Sequence, residues 1–92
     1  MEKNLILLFI DKRGGKTRAK IVKELFKRPY NTNQLSEKLG FQYRTINHHL
    51  DILLNEKIVE KENKKYGALY SLSKKMCNHK EEFEKIIKIQ YI

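Results

Sequence analysis

The stretch that decides the fold spans Asn31–Asn55 and reads NTNQLSEKLGFQYRTINHHLDILLN. Asn31 is a typical helix-capping residue, and the Asn-Thr pair it begins marks the start of a helix. Leu35 and Leu39 lie one helical turn apart, and Gly40 is suited to end the segment. This pattern predicts a helix of about eight residues that closes at a glycine turn.

A second helix is predicted from Tyr43 to Asn55, directly after that turn. One of its faces is apolar and is expected to be buried: Ile46, His49, Leu50 and Leu53. The opposite face is polar and is expected to meet solvent: Tyr43, Arg44, Asn47, His48 and Asp51. Two helices joined by a tight glycine turn indicate a helix-turn-helix.

The next segment predicts a two-stranded hairpin. Residues 58–62 and 68–72 carry strand-like residues in partial alternation, and residues 63–67 supply turn residues with a basic tip. A hairpin directly after the second helix of a helix-turn-helix is a wing. The predicted fold is therefore mainly α with a small β hairpin, a winged helix.

Upstream, Gly14-Gly15-Lys16-Thr17 raises the question of a phosphate-binding loop. That motif needs a glycine five residues before the second one, and Ile10 stands there. The glycine pair is better explained as the joint at which a helix begins. The apolar stripe of that helix runs from Ile21 to Phe26, and Pro29 is expected to end it.

The apolar run Leu5–Ile10 fits either a strand or a buried helix, because periodicity cannot separate the two over so few residues. It is shorter than the ~20 residues that a membrane span needs, and no small-residue cleavage site follows it. The single cysteine, Cys77, excludes an intramolecular disulfide. We therefore expect a soluble, cytoplasmic protein.

A last helix is predicted over residues 74–92, with Ser73 as its cap. Its apolar stripe either covers the chain's own core or pairs with a second subunit, and the second interpretation is favoured because a monomer of this size would leave the stripe largely exposed. The residues assigned to this homodimer interface are Met76, Phe83, Ile86 and Ile87. Residues 1–92 are thus expected to form one domain, with an N-terminal segment (1–15), a winged-helix core (16–73) and a C-terminal helix (74–92).

Positive charge lies on both sides of a nearly neutral middle. The net charge is +9, and residues 1–30 carry nine basic against three acidic side chains. Residues 31–60 carry three against four, and residues 61–92 carry eight against four. This distribution suits a polyanion such as nucleic acid, or an anionic membrane face. A lysine- and glutamate-rich surface made for solubility or heat tolerance is the alternative.

From Thr17 to Ser73, 57 of the 92 residues, the chain resembles the ArsR-type winged-helix transcription regulators. KTRAKIVKEL is similar to the first family helix, and TINHHLDILLNEKIV is close to the family's Thr-Val-Ser-x-His-Leu, Leu-x-x-x-Gly-Leu-Val run. ALYSLS resembles the second wing strand. Lys57 departs from the pattern, since the family usually has glycine before the wing, and Leu5–Ile10 has no counterpart.

The resemblance implies a dimeric repressor that places the helix over 43–55 in the major groove of duplex DNA. The side chains expected at base edges are Gln42, Tyr43, Arg44, Asn47 and His48. Those expected at phosphates or the flanking groove are Lys16, Thr17, Arg18, Lys64 and Lys65. A protein–protein scaffold or an RNA-binding winged helix remains an alternative.

No cofactor, metal or catalytic site is predicted. Cys77 and His79 are two residues apart, which puts them on different faces of a helix. His48 and His49 stand where the family has DNA-facing and core histidines, and the family's metal-binding pairs are absent. No nucleophile, base and orienting group occur together. The sequence names neither the operator nor an effector.

Overall fold

Six helices and a two-stranded antiparallel hairpin make up the computed structural model, which describes residues 3–91. In chain order they are α1 (Lys3–Ile10), α2 (Gly15–Leu25), α3 (Thr32–Leu39), α4 (Tyr43–Asn55), β1 (Val59–Lys61), β2 (Tyr70–Leu72), α5 (Lys74–Cys77) and α6 (Lys80–Tyr91). One hydrophobic core runs through all the long helices and the base of the hairpin. The predicted fold class is confirmed.

The helix-turn-helix has the predicted bounds. Asn31 and Gln34 form a reciprocal capping box, in which each backbone N–H donates to the other side chain at 2.9 Å and 2.8 Å. Gly40 ends α3 with φ 75°, in the left-handed region that glycine favours. α4 then runs from Tyr43 to Asn55 as predicted.

The turn after α4 keeps the backbone shape of a glycine although a lysine stands there. Lys57 has φ 60°, and its N–H donates to the carbonyl of Leu54 at 3.1 Å. The N–H of Ile58 donates to the carbonyl of Leu53 at 2.9 Å. These two bonds form a Schellman motif, which satisfies the last carbonyls of the helix. Lys57 thus adopts the left-handed conformation that a glycine would favour at this position.

The wing is shorter than the sequence predicted. Only three residue pairs form the ladder, from Val59 with Leu72 to Lys61 with Tyr70. Past that point the carboxylate of Glu62 accepts the N–H of Leu69 at 2.8 Å, so a side chain occupies the place of a backbone acceptor. Tyr70 also bridges to Tyr30, with N–H···O distances of 2.8 and 3.1 Å. The wing is therefore hydrogen-bonded to the segment that leads into α3.

Leu5–Ile10, open between strand and helix in the sequence, lies in helix α1. Leu5 and Phe9, four residues apart, are its buried side chains. Gly14 caps α2 with φ 125°, which confirms that the glycine pair is a helix joint. α2 ends at Leu25, four residues before Pro29, because its last turn tightens with a bond from Lys27 N–H to the carbonyl of Glu24 at 2.9 Å.

The C-terminal segment corrects two predictions. It forms two helices instead of one, because the helical conformation is interrupted at residues 78–79, between the end of the Ser73-capped α5 and the start of α6. Met76 and Phe83 are 0% and 1% exposed and belong to this chain's own core, where the ring of Phe83 packs 5.0 Å from that of Phe9. They are therefore not available to a second subunit, and their assignment to the dimer interface is wrong. Ile86 and Ile87 are half-buried against the same core.

Candidate nucleic-acid interface

The outward face of α4 carries the polar side chains that the sequence assigned to base recognition. Gln42, Tyr43, Arg44 and His48 are exposed, and Tyr43 keeps 55% of its surface accessible. They lie at the N-terminal end of the helix or in the turn just before it. Asp51 is also exposed, one turn further along the same helix. A row of donors and acceptors at this end of a helix suits contact with base edges.

Asn47 lies deeper than its neighbours on this face. It is half-buried, and its Oδ1 accepts a hydrogen bond from the hydroxyl of Thr32 at 3.4 Å. Thr32 itself is 5% exposed at the first position of α3. The two helices of the helix-turn-helix are thus joined through the Asn47 amide, and its Nδ2 remains able to donate outward.

The inward face of α4 anchors the helix. Ile46, Leu50 and Leu53 are fully buried, as predicted. His49 is buried as well, and its Nδ1 lies 3.2 Å from Nη1 of Arg18. Burial lowers the pKa of His49, and the positive charges of Arg18 and His48 lower it further. A neutral ring that accepts from the guanidinium at Nδ1 fits both observations.

Among the residues assigned to DNA contact, Arg18 lies in a position that contradicts the prediction. Its side chain is 5% exposed, and Nε donates to the carbonyl of Leu8 at 2.7 Å while Nη1 faces His49. A guanidinium held between α1 and α4 does not face outward. It binds two elements of the protein together, so the expectation of a phosphate contact at Arg18 is wrong.

The wing brings lysines beside the α4 face. A cleft of about 130 Å³ opens between α3, α4 and the hairpin. Its lining includes Tyr43, Asn47 and Lys65, three residues that the sequence assigned to the site, together with Asn33 and Lys61, which it missed. Lys64 is exposed on the same turn. The cleft therefore brings Tyr43 and Asn47 of α4 together with Lys65 of the wing.

Tyr66, another residue missed by the sequence analysis, lies at the wing tip with 76% of its surface exposed. Lys65 Nζ lies 5.5 Å from the centroid of its ring. An aromatic residue between two lysines and Gly67 in a turn was the signal available in the sequence. Such a ring offers a flat surface next to a positive charge, an arrangement suited to contact with a nucleic-acid backbone or base.

Lys16 and Thr17 are not part of this cleft. Lys16 is exposed and lines a separate pocket against Ile87 and Tyr91 of α6, whereas Thr17 is half-buried. Within residues 3–91, no group of three or more His, Cys, Asp or Glu side chains is placed to hold a metal ion, and Cys77 is exposed. None of the helices in that range is long and apolar enough to span a membrane.

Comparison with known families gives a match over the same part of the chain. Residues 15–61, about half of the sequence, match the family described as bacterial regulatory protein, arsR family. This chain belongs to the arsR family. The matched residues run from the start of α2 to the end of β1 and include the whole helix-turn-helix. Among curated protein sequences, none matches the chain.

Solved structures of other regulators share the fold of this arsR-family chain. The transcriptional repressor BigR from Xylella fastidiosa superposes with a TM-score of 0.71 at 19% identity, over 97% of this chain and 86% of BigR. Reduced HlyU from Vibrio cholerae gives 0.70 at 20% identity, over 98% and 90%. Lactococcus lactis ZitR in complex with DNA gives 0.69 at 16% identity, over 95% and 70%.

Two further ZitR structures, both of mutants, match over a shorter part of their length. The chain spans 53% and 57% of them, little more than half, at TM-scores of 0.71 and 0.70 and 18% identity in each case. The fold and the family are those of winged-helix transcription regulators, as the sequence predicted.

Proposed function

We propose that this chain binds duplex DNA in a sequence-specific manner and acts in the cytoplasm as a transcription repressor. The observation that carries the proposal is the joint surface of α4 and the wing. Arg44 and His48 stand exposed at the N-terminal half of α4, and Asn47 and Lys65 line one cleft beside them. Occupancy of a promoter by this surface would exclude the transcription machinery.

The side chains on α4 have the chemistry that base recognition needs. An arginine can donate two hydrogen bonds to O6 and N7 of guanine, and an asparagine can bind N6 and N7 of adenine. Arg44 is exposed and forms no ion pair within residues 3–91, so its guanidinium is available. The bond from Thr32 holds the amide of Asn47 in one orientation before DNA arrives. That lowers the entropy lost on binding.

The wing supplies contacts that do not depend on sequence. Lys64 and Lys65 are exposed at its tip beside Tyr66, and we assign them to the phosphates or the minor groove next to the site. Lys16 and Thr17 at the start of α2 are assigned to more distant phosphates. ZitR, which has the same fold, has been solved with DNA, and this supports duplex DNA as the partner.

The test begins with selection of bound sequences from random duplexes. On the preferred site, Arg44→Ala is expected to cost roughly 1–3 kcal/mol and to relax the preference at one base pair. Arg13→Ala, which removes the same charge from the exposed turn before α2, is the matched control and should leave the preference intact. If Arg44→Ala changes neither affinity nor preference, the recognition face is assigned wrongly.

Salt dependence separates a DNA-binding protein from a protein scaffold. The logarithm of affinity should fall with the logarithm of salt concentration, by about 0.9 per phosphate neutralised. Lys64→Ala with Lys65→Ala should weaken all duplexes alike and reduce that slope. Absence of measurable duplex binding at ~100 mM salt would contradict the proposal. Preferential binding of structured RNA in competition would do the same.

We further propose that the chain acts as a homodimer through α1 and α6. Leu7 and Ile89 are 45% and 79% exposed on two helices that contact each other, and Ile86 is half-buried nearby on α6. A dimer would place two copies of α4 about one turn of DNA apart. Ile89→Lys should shift the mass measured by sedimentation toward the monomer, whereas Gln90→Lys, with the same charge change, should not. Equal masses for both variants would contradict this interface.

A further inference from the structure

A groove of about 420 Å³ lies between α2 and α6, outside the surface assigned to DNA. Its floor is apolar: Phe26 and Ile87, both half-buried, form the accessible part, and the ring of Phe83, which is 1% exposed, backs them with its centroid 5.5 Å from that of Phe26. Pockets that hold small organic ligands have volumes of about 300–1,000 Å³ and mostly apolar linings. The groove is therefore large enough and apolar enough for a hydrocarbon chain.

The rim of this groove is basic. The charged side chains that line it are Lys23, Lys27, Lys80, Lys88 and Glu84. Lys27 already pairs with Glu24 at 3.2 Å, but no other ion pair within residues 3–91 involves these lysines. Lys80 extends over the floor, with Nζ 5.9 Å from the centroid of Phe26. Within the described residues, Lys23, Lys80 and Lys88 thus surround an apolar floor without an ion-pair partner, and Glu84 adds one negative charge to the rim.

The geometry points to a binding site for a single-chain amphipathic carboxylate, that is, a free fatty acid. The hydrocarbon chain would lie on Phe26 and Ile87, and the carboxylate would pair with Lys80 or Lys88 at the rim. The inference does not depend on DNA binding, since the groove and the α4 cleft share no lining residue.

A second copy of this chain is also a poor occupant of the groove. Two identical basic rims would face lysine with lysine, which is repulsive. The exposed Ile89 assigned to the dimer lies two residues beyond Ile87, about 200° around the helix, so it points away from the groove. The groove would therefore stay open in the proposed dimer.

The experiment is a titration of the full chain with decanoate below its critical micelle concentration. Binding is monitored by isothermal titration calorimetry and by the backbone amide chemical shifts in NMR spectra. We expect saturable binding of one decanoate per chain with a Kd below about 1 mM, and shifts at Phe26, Phe83 and Ile87. Hexanoate should bind more weakly, because a shorter chain buries less of the floor. Decyltrimethylammonium, which has the same chain and the opposite charge, should not bind there.

Variants identify the rim. Lys80→Gln with Lys88→Gln should weaken decanoate binding by about fivefold or more. Lys74→Gln with Lys75→Gln removes the same charge from exposed positions on α5 and is expected to bind as the wild type does. The proposal is overturned if both double variants behave alike, if the cationic analogue binds equally well, or if the shifts occur outside the groove. Groove shifts that appear on concentrating the protein alone would reveal a copy-to-copy contact and would also overturn it.

Discussion

Gly14 lies where three parts of the molecule meet, and its replacement by alanine should destabilise the fold severely. A Cβ at this position would lie 2.5 Å from Cε1 of His49 and 2.9 Å from Nη1 of Arg18. Neither group can retreat easily, because both side chains are buried and bonded to each other. In addition, φ is 125°, a conformation that side-chain-bearing residues rarely adopt.

Two costs add at this position. A strained backbone conformation costs about 1–3 kcal/mol, and forcing an extra methyl group into a packed interior costs about 1–3 kcal/mol. Gly14→Ala should therefore lose about 2–6 kcal/mol, a large share of the ~5–15 kcal/mol that holds a small domain folded. Urea unfolding followed by circular dichroism measures this loss directly.

Two other glycines separate the costs. Gly40 has φ 75° and nothing within 4 Å of an added Cβ, so Gly40→Ala should cost only the backbone term, about 1–2 kcal/mol. At Gly15 the added Cβ would meet the backbone carbonyl of Phe9 at 2.8 Å without a positive φ, so Gly15→Ala should cost the packing term. If Gly14→Ala costs no more than Gly40→Ala, the close packing of His49 and Arg18 on this glycine is refuted.

Two further predictions concern pH and the turn before the wing. The pKa of His49 is held below 6.5 in the folded state, so as pH falls through 6.5 the unfolded chain takes up a proton that the folded chain does not. The contribution of His49 to the free energy of unfolding should be fully present above pH 6.5 and should decline below it, by up to ~1.4 kcal/mol per pH unit. Urea unfolding at about pH 7.5 and about pH 5.5 measures this decline, and the His49 contribution to it should vanish in His49→Asn. Lys57→Gly should leave the free energy of unfolding unchanged or raise it by up to ~1 kcal/mol, because φ is 60° there, whereas Glu56→Gly at φ −86° should lower it. Thermal unfolding in which both variants are destabilised, or both are stabilised, would contradict this prediction.

The helix-turn-helix could be predicted to the residue because its signals are local. The cap at Asn31, the glycine at residue 40 and the apolar spacing of α4 each depend on neighbours within one turn or two. The wing was predicted from strand-like residues on both sides of a basic turn, and the family resemblance added the expectation that α4 enters the major groove of duplex DNA. The polar residues of that face could be named in advance because a helix with one buried stripe must expose the other.

Arg18 could not be placed from the sequence, because its partners are distant along the chain. Lys16 and Lys20 flank it in a basic helix, and both are exposed. What distinguishes Arg18 is the Leu8 carbonyl ten residues away and the His49 ring 31 residues away. A pattern of charges does not contain that information.

The C-terminal stripe was misassigned for a related reason. Apolar residues at helical spacing show that a face is covered, but not by what. Phe83 is covered by Phe9 of α1, whose helical conformation the sequence left undecided. Once α1 is a helix, α6 has a partner within the same chain. Tyr91 strengthens this contact by donating its hydroxyl proton to the carbonyl of Phe9.

Arg18 also connects α1 to α4, the helix assigned to base recognition, so that the two helices are expected to move together. One guanidinium holds the last turn of α1 at Leu8 and the middle of α4 at His49, through contacts of 2.7 and 3.2 Å. A shift of α1 must either drag α4 along or break a charged hydrogen bond worth about 1.5–3 kcal/mol. A molecule that binds the outer side of α1 and displaces this helix would therefore also change the angle at which Arg44 and Asn47 of α4 approach a duplex.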